Sequence, residues 1–156
     1  MFAGMIDEVL RTGRQEWQTP GWLLEVIKDF APIRLDPATN FDNPCGAKRI
    51  ATVHTDGLKI SWDGDGLVYV NPPMGKGYSK WVKKALWSDS EVILLAPAYT
   101  GAQWFHDAGF DSVCFLRDRL IFRRAGAQAD FYSMLMYWGD NKPRFRKVFG
   151  GYGLVL

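Results

Sequence analysis

Residues 91–96, Glu-Val-Ile-Leu-Leu-Ala, constrain the fold of this chain more than any other stretch. The run is apolar almost throughout and offers no polar face to solvent. A strand built from it has to be covered on both sides, as in sheets flanked by helices on either face. Leu67-Val68-Tyr69-Val70 is a second compact apolar run. Ile33-Arg34-Leu35-Asp36 is a third short strand, stopped by Pro37.

Helical patterns lie between these runs. Thr19-Pro20 reads as a helix start, with Thr19 as N-cap and Pro20 at the first helical position. Trp22, Leu23, Val26, Ile27 and Phe30 follow at helical spacing, and Pro32 ends the pattern. Tyr78 to Ser88 reads as a basic helix carrying Trp81, Val82, Ala85 and Leu86, and Gly101 to Ala108 as a short one. Val113 to Phe122 and Phe131 to Trp138 read as two strands joined by the loop 124–130. The basic and aromatic tail from Lys142 closes on a last apolar strand, Gly153 to Leu156. Strands alternating with helices, then a late strand pair, predict an α/β fold: a mostly parallel sheet with an antiparallel C-terminal strand pair.

At 156 residues the chain has room for one such domain. Residues 1–15 read as a lead-in and 16–156 as the domain. Apolar residues at 47% and charged residues at 23% exclude general disorder. The net charge of +2 is nearly balanced, so a polyanionic partner has to be read from local patches. Two cysteines, Cys45 and Cys114, are too few for a secreted disulfide scaffold and read as free thiols. With His54 and His106 they lack the close pairing of a zinc site, so no metal is expected. Met1 to Leu10 carries Asp7 and Glu8 without a long apolar run, and no stretch approaches a membrane span. The expectation is a soluble, cytoplasmic protein that uses no membrane.

In sheets of this kind ligands sit beyond the carboxyl ends of the strands. Three punctuated loops fall there: Asp36-Pro37-Ala38-Thr39, Asn71-Pro72-Pro73-Met74 and Ala96-Pro97-Ala98-Tyr99. A rigid turn is one reading of Asn71-Pro72-Pro73. Its chemistry allows another. Two prolines fix the backbone, so that the Asn71 side-chain oxygen and the Pro72 carbonyl can converge on one amino group. An exocyclic amine on adenine is a poor nucleophile, because its lone pair is delocalised into the ring. Two acceptors on its hydrogens draw the nitrogen toward tetrahedral geometry and expose that pair, and preorganised acceptors are worth most in a dry site.

Asn71-Pro72-Pro73 resembles the Asp/Asn-Pro-Pro-Tyr/Phe signature of amino methyltransferases that use S-adenosylmethionine. The wider chain resembles one branch of them, the compact phage-type DNA N6-adenine methyltransferases, over about residues 16–138. The similarity is carried by Glu16-Trp17-Gln18-Thr19-Pro20, Asp36 with Ala38-Thr39, Asn43 and Cys45, and Asp56-Gly57-Leu58 with Trp62. It continues through Asn71-Pro72-Pro73, Trp81, Leu95-Ala96-Pro97-Ala98, Trp104-Phe105, and Phe115 with Arg117, Arg119 and Phe122. What it implies is a compact Rossmann-like class I methyltransferase transferring a methyl group from S-adenosylmethionine to N6 of adenine in DNA. It also implies a bacterial host cytoplasm, with a phage or prophage as the source.

The resemblance assigns roles. Asn71, Pro72, Pro73 and Met74 form the catalytic loop. Gln18, Thr19 and Pro20 close over the methionine end of the cofactor, Asp36 with Ala38 lies near its amino acid portion, and Asp56 near its adenosine. Asn71 belongs to the cofactor site as well. For Asp36 and Asp56 the alternative is a turn residue before Pro37 and Gly57. Arg117 and Arg119 match a family segment and, with Lys76 and Arg123, are expected to meet DNA, the alternative for these cations being a solvated face; Tyr78, one helical turn beyond Met74, is expected there too.

Two departures stand out. The Phe-x-Gly-x-Gly cofactor loop is absent, and Asp36-Pro37-Ala38-Thr39 takes its place. Met74 stands where the family has an aromatic ring to stack on the flipped base, so Tyr78 is expected to supply the missing face. Met74 also leaves open a non-catalytic nucleic-acid-binding protein on a decayed methyltransferase fold. A methyltransferase acting on RNA or a protein amide is open too. The close spacing of Asp36 and Asn71 predicts that one or two peripheral elements are missing. With no space for a separate recognition domain, a short or relaxed target sequence is expected, or recognition shared by a dimer, the chain acting as a monomer or a homodimer.

Overall fold

The computed structural model describes residues 17–122 and 128–156. Its framework is a seven-stranded sheet with helices on both faces. In chain order the elements are helix α1 (Gly21–Phe30), strands β1 (Ile33–Asp36), β2 (Arg49–Ile50) and β3 (Leu67–Val70), and helix α2 (Tyr78–Trp87). Strand β4 (Glu91–Pro97), helix α3 (Gln103–His106) and strands β5 (Ser112–Leu116) and β6 (Ser133–Trp138) follow. Helix α4 (Lys142–Phe149) and strand β7 (Gly153–Val155) complete it.

The strand order is β2-β1-β3-β4-β6-β5-β7. Strands β2, β1, β3 and β4 pair in parallel. Strand β6 runs antiparallel to both β4 and β5, and β7 antiparallel to β5. Two reversals make β5 run the same way as β4. The carboxyl ends of β1, β3, β4 and β5 therefore share one edge of the sheet, which is where β7 begins.

Alternation along the strands divides the core into two layers, since successive side chains take opposite faces. Leu67, Tyr69, Ile93, Leu95, Leu135 and Tyr137 pack with Leu23, Ile27 and Phe30 of α1 and Phe145 and Phe149 of α4. Val68, Val70, Val92, Leu94, Met134 and Met136 pack with Trp81, Val82 and Ala85 of α2. Strand β4 is buried from Val92 onward, as its apolar run requires.

Several expectations are corrected. Strand β5 ends at Leu116 rather than at 122, because the chain turns there and Asp118 takes a left-handed φ of 62°. The late strands form an antiparallel trio rather than a pair, with β7 joined to β5. The basic tail contains α4, whose start has Pro143 in its first turn and the Asn141 side chain accepting from the Arg144 N–H. Arg144 is fixed within the fold. Its Nε donates to Phe30 O and its Nη2 to Asp29 O, both at 2.7 Å, so a guanidinium closes the C-terminus of α1 where the helix dipole favours a cation. No helix lies among residues 37–66, where β1 passes to β2 and then to β3. Residues 1–16 and 123–127, Arg123 among them, lie outside the described residues.

Candidate active site

The sheet edge gathers residues that are far apart in the chain. The segment Gln18-Thr19-Pro20 runs into α1, whose first turn closes on Pro20 O through the N–H groups of Leu23 and Leu24. Pro20 is the N-cap, and no side chain caps the helix. The Thr19 hydroxyl, expected in that role, is turned to the sheet and shares a 2.5 Å hydrogen bond with the Tyr69 hydroxyl. Asn71 joins the same group: its Nδ2 donates to Trp17 O at 2.6 Å and to Thr19 Oγ1 at 3.4 Å.

Asp36 reaches this face through a break in the pattern of β1. The register of β1 on β3 shifts between Ile33 and Leu35, which pair with the consecutive residues Leu67 and Val68. Ile33 consequently packs on the α1 side and Leu35 on the α2 side. In an unbroken strand two residues so spaced would share a face. The shift turns Asp36 toward the α1 side, with Tyr69 and Asn71, as bulges beside functional sites commonly do. Arg34 holds the irregularity in place, donating from Nη2 to Trp62 O at 2.6 Å and to Ser90 Oγ at 2.9 Å.

The Asp36 side chain is buried, at 5% exposure. It accepts from the Ala38 N–H and from the Cys45 thiol, each at 3.2 Å, and among the described residues it has no cationic partner. Burial pushes its pKa up to about 6, against the opposing pull of those hydrogen bonds. Burial also pushes the Cys45 thiol up, and the adjacent Asp36 charge adds to this, so Cys45 remains a neutral donor. Asn43 builds the loop that carries Cys45. It adopts a left-handed φ of 47°, and its side chain both accepts from Ala47 N and donates to Ala47 O.

These groups line a narrow cleft, open to solvent and with a cavity volume of about 20 Å³, room for about one water, whose walls include Gln18, Thr19, Asp36, Ala38, Cys45, Tyr69 and Asn71. Gln18 is 6% exposed, and its Nε2 has no hydrogen-bond partner among the described residues. A buried amide donor without an acceptor is costly unless a ligand completes it. An orphaned donor and a buried, unpaired carboxylate facing one cleft form a donor set for a zwitterionic ligand. The amino acid end of S-adenosylmethionine has that character.

Other expected residues lie elsewhere. Asp56 closes its own turn at a φ of 54°, its Oδ1 accepting from Leu58 N, and it is not part of the cleft wall. The neighbouring Gly57 is fixed by contact: a Cβ there would stand 1.7 Å from Pro37 O. Pro20 lines a second groove, with Arg117 and Arg119. Pro72 is buried, and Pro73, Met74 and Lys76 are exposed beyond β3. Tyr78 does not offer a stacking face. Its ring is 8% exposed, 4.9 Å from the Trp104 ring centroid, and its hydroxyl donates to Leu95 O, so the apolar face of α2 has claimed it. Lys84, one of the basic residues of α2, is tied down by donation to Leu58 O at 3.0 Å. Sequence reasoning missed Tyr69, whose hydroxyl is the pivot between Thr19 and the cleft; its place in an apolar strand signals only core.

Among the described residues no group of three or more His, Cys, Asp or Glu side chains could hold a metal ion. None of the helices described is long and apolar enough to cross a membrane. No curated protein matches the chain. The profile of one protein family, DNA N-6-adenine-methyltransferase (Dam), matches residues 7–137. That match takes in β1 to β5, the cleft, the Asn71-Pro72-Pro73 corner and nearly all of β6, and the chain accordingly belongs to the Dam family of DNA N-6-adenine-methyltransferases.

Proposed function

We propose that this chain methylates N6 of adenine in DNA at the corner after β3, using S-adenosylmethionine, on a Rossmann-like class I methyltransferase sheet. The observation that carries the reading is the convergence of Asn71, Asp36 and Gln18 on one cleft at the carboxyl edge. The parallel run β2-β1-β3-β4, with β6 inserted antiparallel between β4 and β5, supports the fold assignment.

When bound, S-adenosylmethionine supplies a methyl group on a sulfonium, an electrophile that needs no metal. Ionised Asp36 would hold the cofactor's ammonium group, and Gln18 Nε2 would donate to its carboxylate. Ala38 and Thr19 form the adjoining walls. The adenine has to leave the DNA stack to reach the corner. Asn71, oriented by Trp17 O, accepts from the amino group through Oδ1, and the Pro72 carbonyl accepts the second hydrogen. Pro73 stiffens the turn, and the exposed Met74 side chain packs on the base. With the cofactor held there, the amine nitrogen would take the methyl group in line as the carbon–sulfur bond breaks, the sulfur keeping the electron pair as the thioether of S-adenosylhomocysteine and the amine's extra proton passing to solvent.

The test compares acceptors. Unmethylated DNA, RNA and protein are each incubated with the purified chain and methyl-labelled cofactor. Label in DNA alone is the expected result; label confined to RNA or to glutamine side chains would overturn the DNA assignment.

A further inference from the structure

Beside the cleft lies a groove of about 400 Å³, lined by Pro20, Trp22, Arg117–Ile121, Gly151 and Tyr152. The two sites share one stretch of chain, since Gln18 and Thr19 wall the cleft and Pro20 walls the groove. Both sit on the carboxyl edge of the sheet, because Arg117 follows β5 and Tyr152 precedes β7. The Arg117 N–H donates to Tyr152 O at 2.9 Å, tying the two sides of the groove together.

Its surface joins aromatic rings to positive charge. Trp22 and Tyr152 are stacked, with centroids 5.8 Å apart and an interplanar angle of 27°, yet remain 48% and 41% exposed. Arg117 and Arg119 are exposed, and neither forms an ion pair with a described residue; Asp118 is the carboxylate between them. The Arg119 guanidinium lies 5.3 Å from the exposed Tyr132 ring. Guanidiniums match phosphate, and an accessible stacked pair gives a base or sugar an apolar platform. Gly151 and Tyr152 fall beyond the residues that the family profile matches.

We propose that the groove binds the DNA strand next to the target adenine, with a phosphate on Arg117 and Arg119 and the neighbouring nucleotide against Trp22 and Tyr152. The groove holds the strand, and the Asn71 corner carries out the chemistry. The proposal rests on the DNA reading above, and its test keeps the two apart.

Trp22→Ala, Tyr152→Ala and the double variant Arg117→Gln/Arg119→Gln are compared with the wild type. Binding of a fluorescent DNA duplex is followed by anisotropy over a salt series, alongside steady-state methylation. Cofactor titration and melting temperature verify each fold, and the exposed arginine pair serves if an aromatic variant unfolds. The expected result is a rise of about tenfold in Kd and in KM for DNA, with kcat within about twofold. The arginine pair should also flatten the salt dependence, by about one unit of slope for each phosphate no longer neutralised. Unchanged Kd, KM and salt slope in variants of a wild type that methylates DNA would overturn the groove and leave the methylation reading standing. A wild type that binds duplex through these residues without methylating it would uphold the groove and overturn the catalytic reading. A wild type that neither binds nor methylates DNA overturns both.

Discussion

Asp36 joins stability and chemistry in one side chain. Its carboxyl titrates near 6 in the folded protein against an ordinary value of 3.8. Between those values the folded state holds the proton more tightly than the unfolded chain, so the apo protein loses stability as pH rises through that window. At neutral pH the buried charge costs about 3 kcal/mol. Asp36→Asn should raise the melting temperature of the apo protein at pH 8, leave it nearly unchanged at pH 4, and abolish cofactor binding in calorimetry. Cofactor affinity of the wild type should fall roughly tenfold from pH 7 to pH 5, as the carboxylate takes up its proton. A melting temperature lowered equally at both pH values, with cofactor binding retained, would contradict this account. Met74 gives a second residue-scale prediction. A sulfur–ring contact is worth about 0.3–1.5 kcal/mol and a stacked ring about 1–3 kcal/mol. Met74→Tyr should therefore lower KM for DNA by up to about tenfold, and kinetic analysis on one duplex reads the change directly. An unchanged KM would mean that the side chain does not touch the base.

At the scale of elements, the irregularity in β1 decides which face Asp36 takes. Arg34→Ala removes the donor that ties this strand to Trp62 O and Ser90; since Ser90 Oγ still donates to Trp62 O, the cost is that of the lost hydrogen bonds, about 0.5–1.5 kcal/mol each. Cofactor affinity should fall with it, although Arg34 is not part of the cleft wall. Full affinity in a folded variant would show that the bulge holds without it. Nothing in Ile33-Arg34-Leu35-Asp36 announces the shift, because facing is set by pairing with β3 and pairing is not written in a four-residue run. The strands themselves were legible: the apolar runs of β1 and β3 coincide with the observed elements, and that of β4 falls one residue short. Helix α4 was not, since Lys142-Pro143-Arg144-Phe145 carries a weak apolar signal and its Phe145 and Phe149 anchors gain meaning only against α1.

Across the whole molecule, three strand-end loops told where to look for a site, and residues of two of them wall one cleft. Asp36 and Asn71 were accessible from the sequence because proline punctuation marks the ends of their strands. The Thr19–Tyr69–Asn71 contacts were not, because they join segments about fifty residues apart through hydroxyl and amide geometry. Tyr78 misled for a related reason: helical spacing placed it one turn from Met74, and the core claimed its ring. The carboxyl edge carries two adjoining concavities, a cleft walled by Gln18, Asp36 and Asn71 and a groove that sets arginines beside aromatic rings. The most direct measurement is nucleoside mass spectrometry of unmethylated duplex DNA after incubation with isotopically methyl-labelled S-adenosylmethionine and either wild type or Asn71→Ala. Wild type should yield labelled N6-methyladenine, and Asn71→Ala should yield it at least about 100-fold more slowly with cofactor affinity largely kept. Unlabelled adenine after exposure to fully cofactor-saturated wild type, or equal rates for the two proteins, would contradict the account.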